Sequence, residues 1–575
     1  MEAPRRDDLW DPSQTPNRRS IDHPQRAADV LVQVLEEAGV DVIFGLPGGA
    51  IAPVFDAIHA RKKIRLVISK HESAAVFGAI GYARATGRLG VAVVTSGPGI
   101  LNTFTGIGAA FCDGVPILVL GGEVSRQAFG KGALQEGSSH SLNVVAMASH
   151  VTKLALQVPD ATGAPTLLRR AMTTAMSGRP GPVLMTLPID VQSGKVCAPR
   201  VSQAVSTSFG IETTPIEHAA LALQRSKRKV IFAGSGVRHG EGPRLLRELA
   251  EKLQCPVMTT PKAKGVFPED HPLALGVFGI GGHPSATRFL ASPVETMLAI
   301  GTSLNDLATN GWSQAIRPTR TLIHVDIDSA RVGRAYQSQI AIAAPATLFM
   351  SEILPRIRPS TVDVQYGIEY YSNAENTPVG ADGAITPQRA IWELQEVLPS
   401  SSIYTVDSGE HTNFAIHYLR AHHPNAFMVM HGLAAMGSAI PAAIGIQLAN
   451  KRGVAVAICG DGGFAMTAPE LATAAYERLP VIVVVMNDQR LGMVELGHQA
   501  LFGRTPDFTV GPMDVGVVSV GLGARTLQVT KPGEILNARE LLQRRSGPVV
   551  LDVRIDRTMR MPRNSRFEKL ATDVR

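Results

Sequence analysis

The stretch VAVAICGDGGF (454–464), with VIVVVMNDQRLG (481–492) beginning shortly after it, decides the reading of this chain. Each opens on a short apolar run without alternation, the pattern of a strand buried on both faces. Gly460-Asp461-Gly462 follows the first run and precedes a helical pattern. That places Asp461 at the carboxyl edge of an open α/β sheet, where ligands bind. Glycines there let the backbone approach phosphate oxygens closely. After 24 further residues, Asn487-Asp488 ends the next run at the same edge. Two oxygen ligands from neighbouring strand ends suit a hard divalent cation that bridges to a diphosphate. Either turn alone would be ordinary; their spacing and strand positions favour a ligand site.

Outward from this pair, glycine-bounded apolar runs recur at Val91–Val94, Val115–Leu120, Val230–Ala233, Met297–Ile300 and Leu322–Val325. Helical patterns lie between them, over Ala27–Ala38, Ala74–Ala85, Gly242–Leu253, Pro387–Val397 and Pro469–Arg478. Strand–helix alternation along the whole length predicts doubly wound parallel sheets. A long-range repeat divides them. His71-Glu72-Ser73-Ala74-Ala75 returns in form as His431-Gly432-Leu433-Ala434-Ala435, and Ala79-Ile80-Gly81 as Ala443-Ile444-Gly445. Val91–Val94 with its Ser96-Gly97-Pro98-Gly99 turn returns as Val454–Ile458 with Gly460–Gly463, and Val115-Pro116-Ile117 as Leu479-Pro480-Val481. The offset stays between 360 and 364, too long for a solenoid. The expectation is three α/β domains, the first and third alike. The divisions are a polar leader (1–24), a first domain (25–195), a linker (196–217), a central domain (218–357), a second linker (358–385), a third domain (386–556) and a basic tail (557–575). The tail reads as a solvated segment slightly more readily than as an arm over an anionic site.

Composition removes several classes. The 575 residues are 45% hydrophobic and 18% charged, with net charge +7 and no dense basic stripe interleaved with aromatics, so nucleic-acid binding is not expected. Cys112, Cys197, Cys255 and Cys459 form no CxxC pair, which excludes a zinc ribbon and disfavours a disulfide framework; a reducing, cytoplasmic setting is expected. No run approaches the roughly 20 apolar residues of a spanning helix, and the leader has no apolar segment of the signal-peptide kind.

Gly-Asp-Gly, a spacer of this length and an Asn pair resemble the signature of thiamine diphosphate enzymes. The likeness covers about residues 25–555 and runs closest to the acetolactate synthase large subunit. It is carried also by FGLPGGAIAPVFDAI (44–58), HESAAVFGAIGYARATG (71–87), TSGPGILN (95–102), SGRPGPVLMTLPIDVQ (177–192) and MGSAIPAAIG (436–445). The resemblance implies thiamine diphosphate and Mg2+, the metal held by Asp461, Asp488 and the backbone carbonyl of Arg490. Family members usually carry Asn where Asp488 stands. Glu72 resembles the glutamate that bonds the aminopyrimidine ring, a proton-handling role that needs a carboxylic acid in a dry cleft. Alone, it would read as an acid at a helix start. Met436 resembles the apolar wedge that bends the cofactor. Gly409, Glu410 and His411 resemble a Gly-Gln-His that reaches the diphosphate, as do Gly462 and Gly463 beside the metal Asp. Pro47, Gly48, Gly49 and Ala50 resemble a backbone turn near the reacting carbons. Gln135 resembles a catalytic Gln, and Phe129 and Leu134 pocket walls.

In such enzymes the first and third domains meet across subunits, so the resemblance implies a homodimer or homotetramer with Glu72 and Asp461 lent by different chains. It implies a 2-oxo acid substrate, pyruvate, decarboxylated by the cofactor and ligated to a second carbonyl. A small regulatory subunit is left open. Two departures bear on this. Gly497 stands where those synthases have a Trp, which enlarges the acceptor pocket and keeps open a secondary-metabolism decarboxylase or carboligase with a larger ketone or aldehyde acceptor. The central domain has Gly301-Thr302-Ser303-Leu304-Asn305-Asp306 in place of the arginine-bearing FAD stretch, and AGSGVRHG (233–240) is not a GxGxxG fingerprint. FAD therefore stays open. From another class, a non-catalytic regulatory paralogue would need neither Glu72 nor Asp461, and both are present.

Overall fold

Three six-stranded parallel sheets organise the molecule, each wrapped by helices. The computed structural model describes residues 24–196, 210–377, 379–380, 383–450, 453–509, 511 and 513–562. The first sheet runs Arg65–Ile68, Val42–Leu46, Gly90–Val94, Ile117–Glu123, Pro182–Pro188, Leu154–Gln157. The third runs Phe427–Val429, Ile403–Val406, Ala455–Gly460, Ile482–Asn487, Val549–Arg554, Arg525–Val529. Numbered along the chain within each six-stranded sheet, both read 2-1-3-4-6-5. The repeat is thus one topology used twice. Only its first match fails in structure: His71 opens a helix directly, whereas residues 431–438 form a loop and the helix begins at Ala439. The central sheet has the different order 3-2-1-4-5-6 of dinucleotide-binding folds, reversing between Lys229–Ala233 and Thr296–Ile300.

The central strands of each sheet are the apolar runs. Ile482–Asn487 is buried at every position, as is Gly90–Val94. The edge strands Arg65–Ile68, Leu154–Gln157 and Arg525–Val529 are half-covered and mixed in polarity, which is why no continuous apolar run marks them. Register then sets the site. Gly460 pairs with Met486, so Asp461 and Asn487 leave the sheet side by side at its carboxyl edge.

The first and third domains share one apolar core. At its centre the helices Glu72–Thr86 and Ala439–Ala449 cross. The second is buried along nearly its whole length, as an all-apolar helix must be. Ile440 and Ile444 are 1% and 2% exposed, and burial of each contributes about 1.5–3 kcal/mol. The crossing depends on glycine. A β-carbon on Gly81 would overlap the Ala442 carbonyl, and one on Gly445 the Gly78 carbonyl. The central domain has its own cores.

Some boundaries move. Val196, the first residue of the expected linker, pairs with Gln25 beside the Lys195–Arg26 pair and so belongs with the first domain. The helix Thr213–Arg225 starts inside the expected linker and packs Ile216 into the central core, so the linker is shorter than 196–217. The segment 358–385 is irregular but packed: Tyr371 stacks on His417 and Tyr370 meets the same ring edge-on. Residues 1–23 of the leader and 563–575 of the tail lie outside the described residues.

Candidate active site

In the third domain, the helix Asp461–Thr467 starts directly from its strand. Asp461 is 4% exposed; Oδ1 accepts the Gly462 amide at 2.9 Å, and Oδ2 is buried without a hydrogen-bond partner. Burial, and then the nearby Asp488 charge, push its carboxyl up to about 6. Asp488 Oδ2 accepts from Arg490 Nε at 3.0 Å. The His411 ring lies beside Gly460, where a β-carbon would stand 3.4 Å from its Cε1. Its Nε2 is also buried and unpartnered, and burial holds the imidazole neutral, down to about 4. Glu410 is not turned loose by replacing an amide: it accepts from Asn413 Nδ2 at 3.1 Å, and burial pushes it up to about 7.

Met436 is brought over the Gly-Asp-Gly turn. A β-carbon on Gly462 would stand 3.1 Å from Met436 Cε and 3.0 Å from Leu491 Cδ2, so the ends of both side chains lie against this turn. The organiser is Asp407, at the end of the strand Ile403–Val406. Its carboxylate accepts the Gly437 amide at 2.7 Å and the Ser438 amide and hydroxyl at 3.0 Å each. A β-carbon on Gly463 would overlap its Oδ2. One buried carboxylate thereby fixes the Met436 loop against the Asp461 helix. Sequence reading missed Asp407; its only signal was an acid directly after an apolar run.

The tail is an arm as far as it is described. The Arg557 carbonyl accepts from Arg490 Nη2, Met561 is buried, and Arg560 faces Glu410, Glu495 and Asp488. Arg557, Thr558 and Pro562 are exposed as a solvated tail would be, whereas Met559, Arg560 and Met561 are covered.

In the first domain, Glu72 opens its helix and is 7% exposed. Its Oε2 accepts from Asn102 Nδ2 at 3.0 Å, a partner that sequence reading quoted within TSGPGILN without a role. A β-carbon on Gly99 would stand 3.6 Å from Glu72 Oε1 and 2.8 Å from Thr95 Cγ2; one on Gly48 would stand 2.5 Å from Thr95 Oγ1. Gly97, at φ 57°, abuts Gln135. The turn at Pro47–Ala50, Gln135 and Glu72 thus gather around Thr95–Gly99. Phe129 stacks on His140 at 6.4 Å. Leu134 is 86% exposed within one chain, so it walls nothing there. Gly497 lies on the helix Gly492–Phe502, which has no fully buried residue.

Glu470 joins the two halves. Its Oε1 accepts the Lys70 amide at 2.7 Å and the His71 amide at 3.2 Å, immediately before Glu72. Among the described residues no hydrogen bond or ion pair links Glu72 to Asp461.

The central domain holds a cavity of about 590 Å³ at the carboxyl edge of its sheet, where strand order reverses. Gly236 and Gly301 meet backbone to backbone there. The cations around it come from two domains: Arg84 and Arg179 from the first, and Arg238, Lys262 and Arg331 from the centre. Burial lowers Arg238 to about 9, and its Nε and Nη1 have no partner. Asp113, which pairs with Lys262 at 2.9 Å, and Asp326 also line it.

Comparison with known proteins places this architecture. The thiamine pyrophosphate enzyme models match in chain order: the N-terminal TPP binding domain over 25–143, the central domain over 216–353 and the C-terminal TPP binding domain over 407–553. The chain belongs to the thiamine pyrophosphate enzyme family. Within it the chain is similar to acetolactate synthase large subunits. It is 32% identical to a probable acetolactate synthase large subunit of Methanocaldococcus jannaschii, covering 93% of each chain. It is 34% identical to that of Corynebacterium glutamicum, over 92% of this chain and 87% of the relative. Isozyme 2 of Escherichia coli is 30% identical, over 92% and 95%. Among the described residues no helix is long and apolar enough to cross a membrane.

Proposed function

We infer that this chain is a thiamine diphosphate-dependent carboligase of the acetolactate synthase kind, decarboxylating pyruvate and joining the two-carbon unit to a second carbonyl. The observation that carries this reading is the buried, half-satisfied Asp461 at the sheet edge, beside Asp488 and under Met436. An orphaned carboxylate oxygen and an orphaned imidazole nitrogen fit a cation with a bound diphosphate. Among the described residues no group of three His, Cys, Asp or Glu is placed to hold a metal. Two carboxylates, with phosphate and water completing the shell, suit Mg2+.

When bound, the thiazolium of the cofactor supplies the electron sink for loss of carbon dioxide. The protein positions and dries the reaction. Asp461 and Asp488 hold the cation, and neutral His411 is placed to donate to the diphosphate. Met436, whose loop Asp407 fixes over the Gly-Asp-Gly turn, would support the bound cofactor. Glu72, steadied by Asn102, would hold the proton for the aminopyrimidine ring of the bound cofactor. Gln135 and the turn Gly48–Ala50 face the substrate side of the same cluster.

Glu72 and Asp461 act together across a homodimer, and a homotetramer would hold two such dimers. Leu134, Leu433, Met466 and Tyr476 are large apolar side chains exposed within one chain, and a partner copy would cover them. In the central cavity, FAD fits the glycine turns and the arginines; a flavin absorption band in the purified protein tests it. The small subunit implied by the relatives' names, and a cytoplasmic setting, belong to the same proposal. Incubation of the purified protein with 13C-labelled pyruvate, thiamine diphosphate and Mg2+, followed by NMR, tests the activity. Acetolactate is the expected product; carbon dioxide and acetaldehyde without acetolactate would refute the ligation step.

A further inference from the structure

We propose that Arg490 is the counter-charge that lets a second carboxylate, Asp488, serve at the diphosphate site. This rests on the reading that Asp461 and Asp488 hold the cation. Asp488 brings a negative charge to a place where an anionic diphosphate must also sit, and an adjacent anion repels it. The chain answers that charge two residues later. Gln489 takes a left-handed backbone at φ 60°, a conformation that costs free energy for a residue with a β-carbon. The result is that Arg490 turns back, and its Nε meets Asp488 Oδ2 at 3.0 Å. Both side chains are well covered, at 9% and 16% exposure, so water screens the pair little.

The guanidinium is held in place from two further sides. Nη1 pairs with Glu495 at 2.8 Å, and Nη2 donates to the Arg557 carbonyl of the arm. Asn487, the preceding residue, carries no charge, and its amide donates to Asp552 at 2.7 Å rather than to Asp488. Arg490, whose charge Glu495 shares, thereby offsets part of the added charge at the second ligand position, while keeping a carboxylate oxygen for the cation. Arg490 is a positioning residue, acting on the cofactor through Asp488.

The test is a double-mutant cycle on cofactor binding, read by equilibrium dialysis of thiamine diphosphate against the full-length protein at fixed Mg2+. Arg490→Gln is expected to weaken binding about tenfold or more, as loss of one partner of a covered charge pair does. In an Asp488→Asn background the same substitution is expected to change binding less than about threefold, because the charge it answered is gone. Equal losses in both backgrounds would overturn the proposal and leave Arg490 as an anchor for the helix Gly492–Phe502 and the arm. If Arg490→Gln does not fold, Arg490→Met, which keeps the apolar stem and removes the charge, replaces it in the same cycle, with the same expected and contrary results. A wild-type protein that binds no cofactor is a separate outcome, refuting the parent reading and this one with it.

Discussion

Glu470 holds the backbone just ahead of Glu72, and its removal should be felt there first. Its carboxylate is 2% exposed and accepts two amides, Lys70 at 2.7 Å and His71 at 3.2 Å, across the boundary between the third and first domains. A hydrogen bond to a charged group contributes about 1.5–3 kcal/mol, and a buried donor left unpaired costs its desolvation. For Glu470→Ala, with water entering part of the vacated space, the expected loss is about 3 kcal/mol, or roughly a hundredfold in local opening. Glu470→Gln keeps one acceptor oxygen and should lose about 1 kcal/mol. Hydrogen exchange read by mass spectrometry on the peptide spanning Lys70 and His71 reports that opening directly. Faster exchange there, with the central domain unchanged, is the expected result. Exchange at Lys70 and His71 unchanged in Glu470→Ala would refute the idea that this carboxylate positions the Glu72 turn.

Other consequences are as specific. His417 is fully buried, and burial lowers its imidazole from 6.5 to about 4. Below 6.5 the unfolded chain binds a proton that the folded chain refuses, so this group's contribution is intact above 6.5 and is lost as pH falls toward 4. Relative to His417→Gln, the wild type should lose about 2 kcal/mol of stability between about pH 7 and 5, measured by urea unfolding; a difference independent of pH would contradict it. Lys264 and His283 face the same ring and reinforce the effect. Gly445→Ala drives a methyl into the Gly78 carbonyl at the helix crossing, a backbone contact that cannot rotate aside. It should cost about 3 kcal/mol or more, seen as a lowered melting temperature; an unchanged melting temperature would contradict the crossing geometry. Asp407→Asn should loosen the Met436 loop, lowering cofactor affinity about tenfold in dialysis while Glu72-side exchange stays unchanged.

What the sequence disclosed and what it withheld have a common physical origin. Strands such as Val230–Ala233 and Ile482–Asn487 were legible because burial on both faces demands an unbroken apolar run, and the Asp461 turn was legible because it must follow one. Edge strands such as Leu154–Gln157 carry no such demand and left no mark. The matched Ala79-Ile80-Gly81 and Ala443-Ile444-Gly445 were visible as a repeat, but not that their glycines are where two helices touch. Asp407, Asn102 and Glu470 escaped because each works through backbone or side-chain partners 30 to 400 residues away. The central cavity escaped for the same reason, its arginines converging from separate domains.

The central claim is that Glu72 of one protomer and Asp461 of its partner serve one molecule of thiamine diphosphate. Mixing Glu72→Gln and Asp461→Ala proteins, each inactive alone, under conditions that exchange subunits tests it most directly. In a symmetric dimer, random pairing restores about a quarter of the wild-type sites, so about a quarter of wild-type acetolactate formation should return. No recovery despite verified subunit exchange would place both residues in the same chain's site and contradict the account.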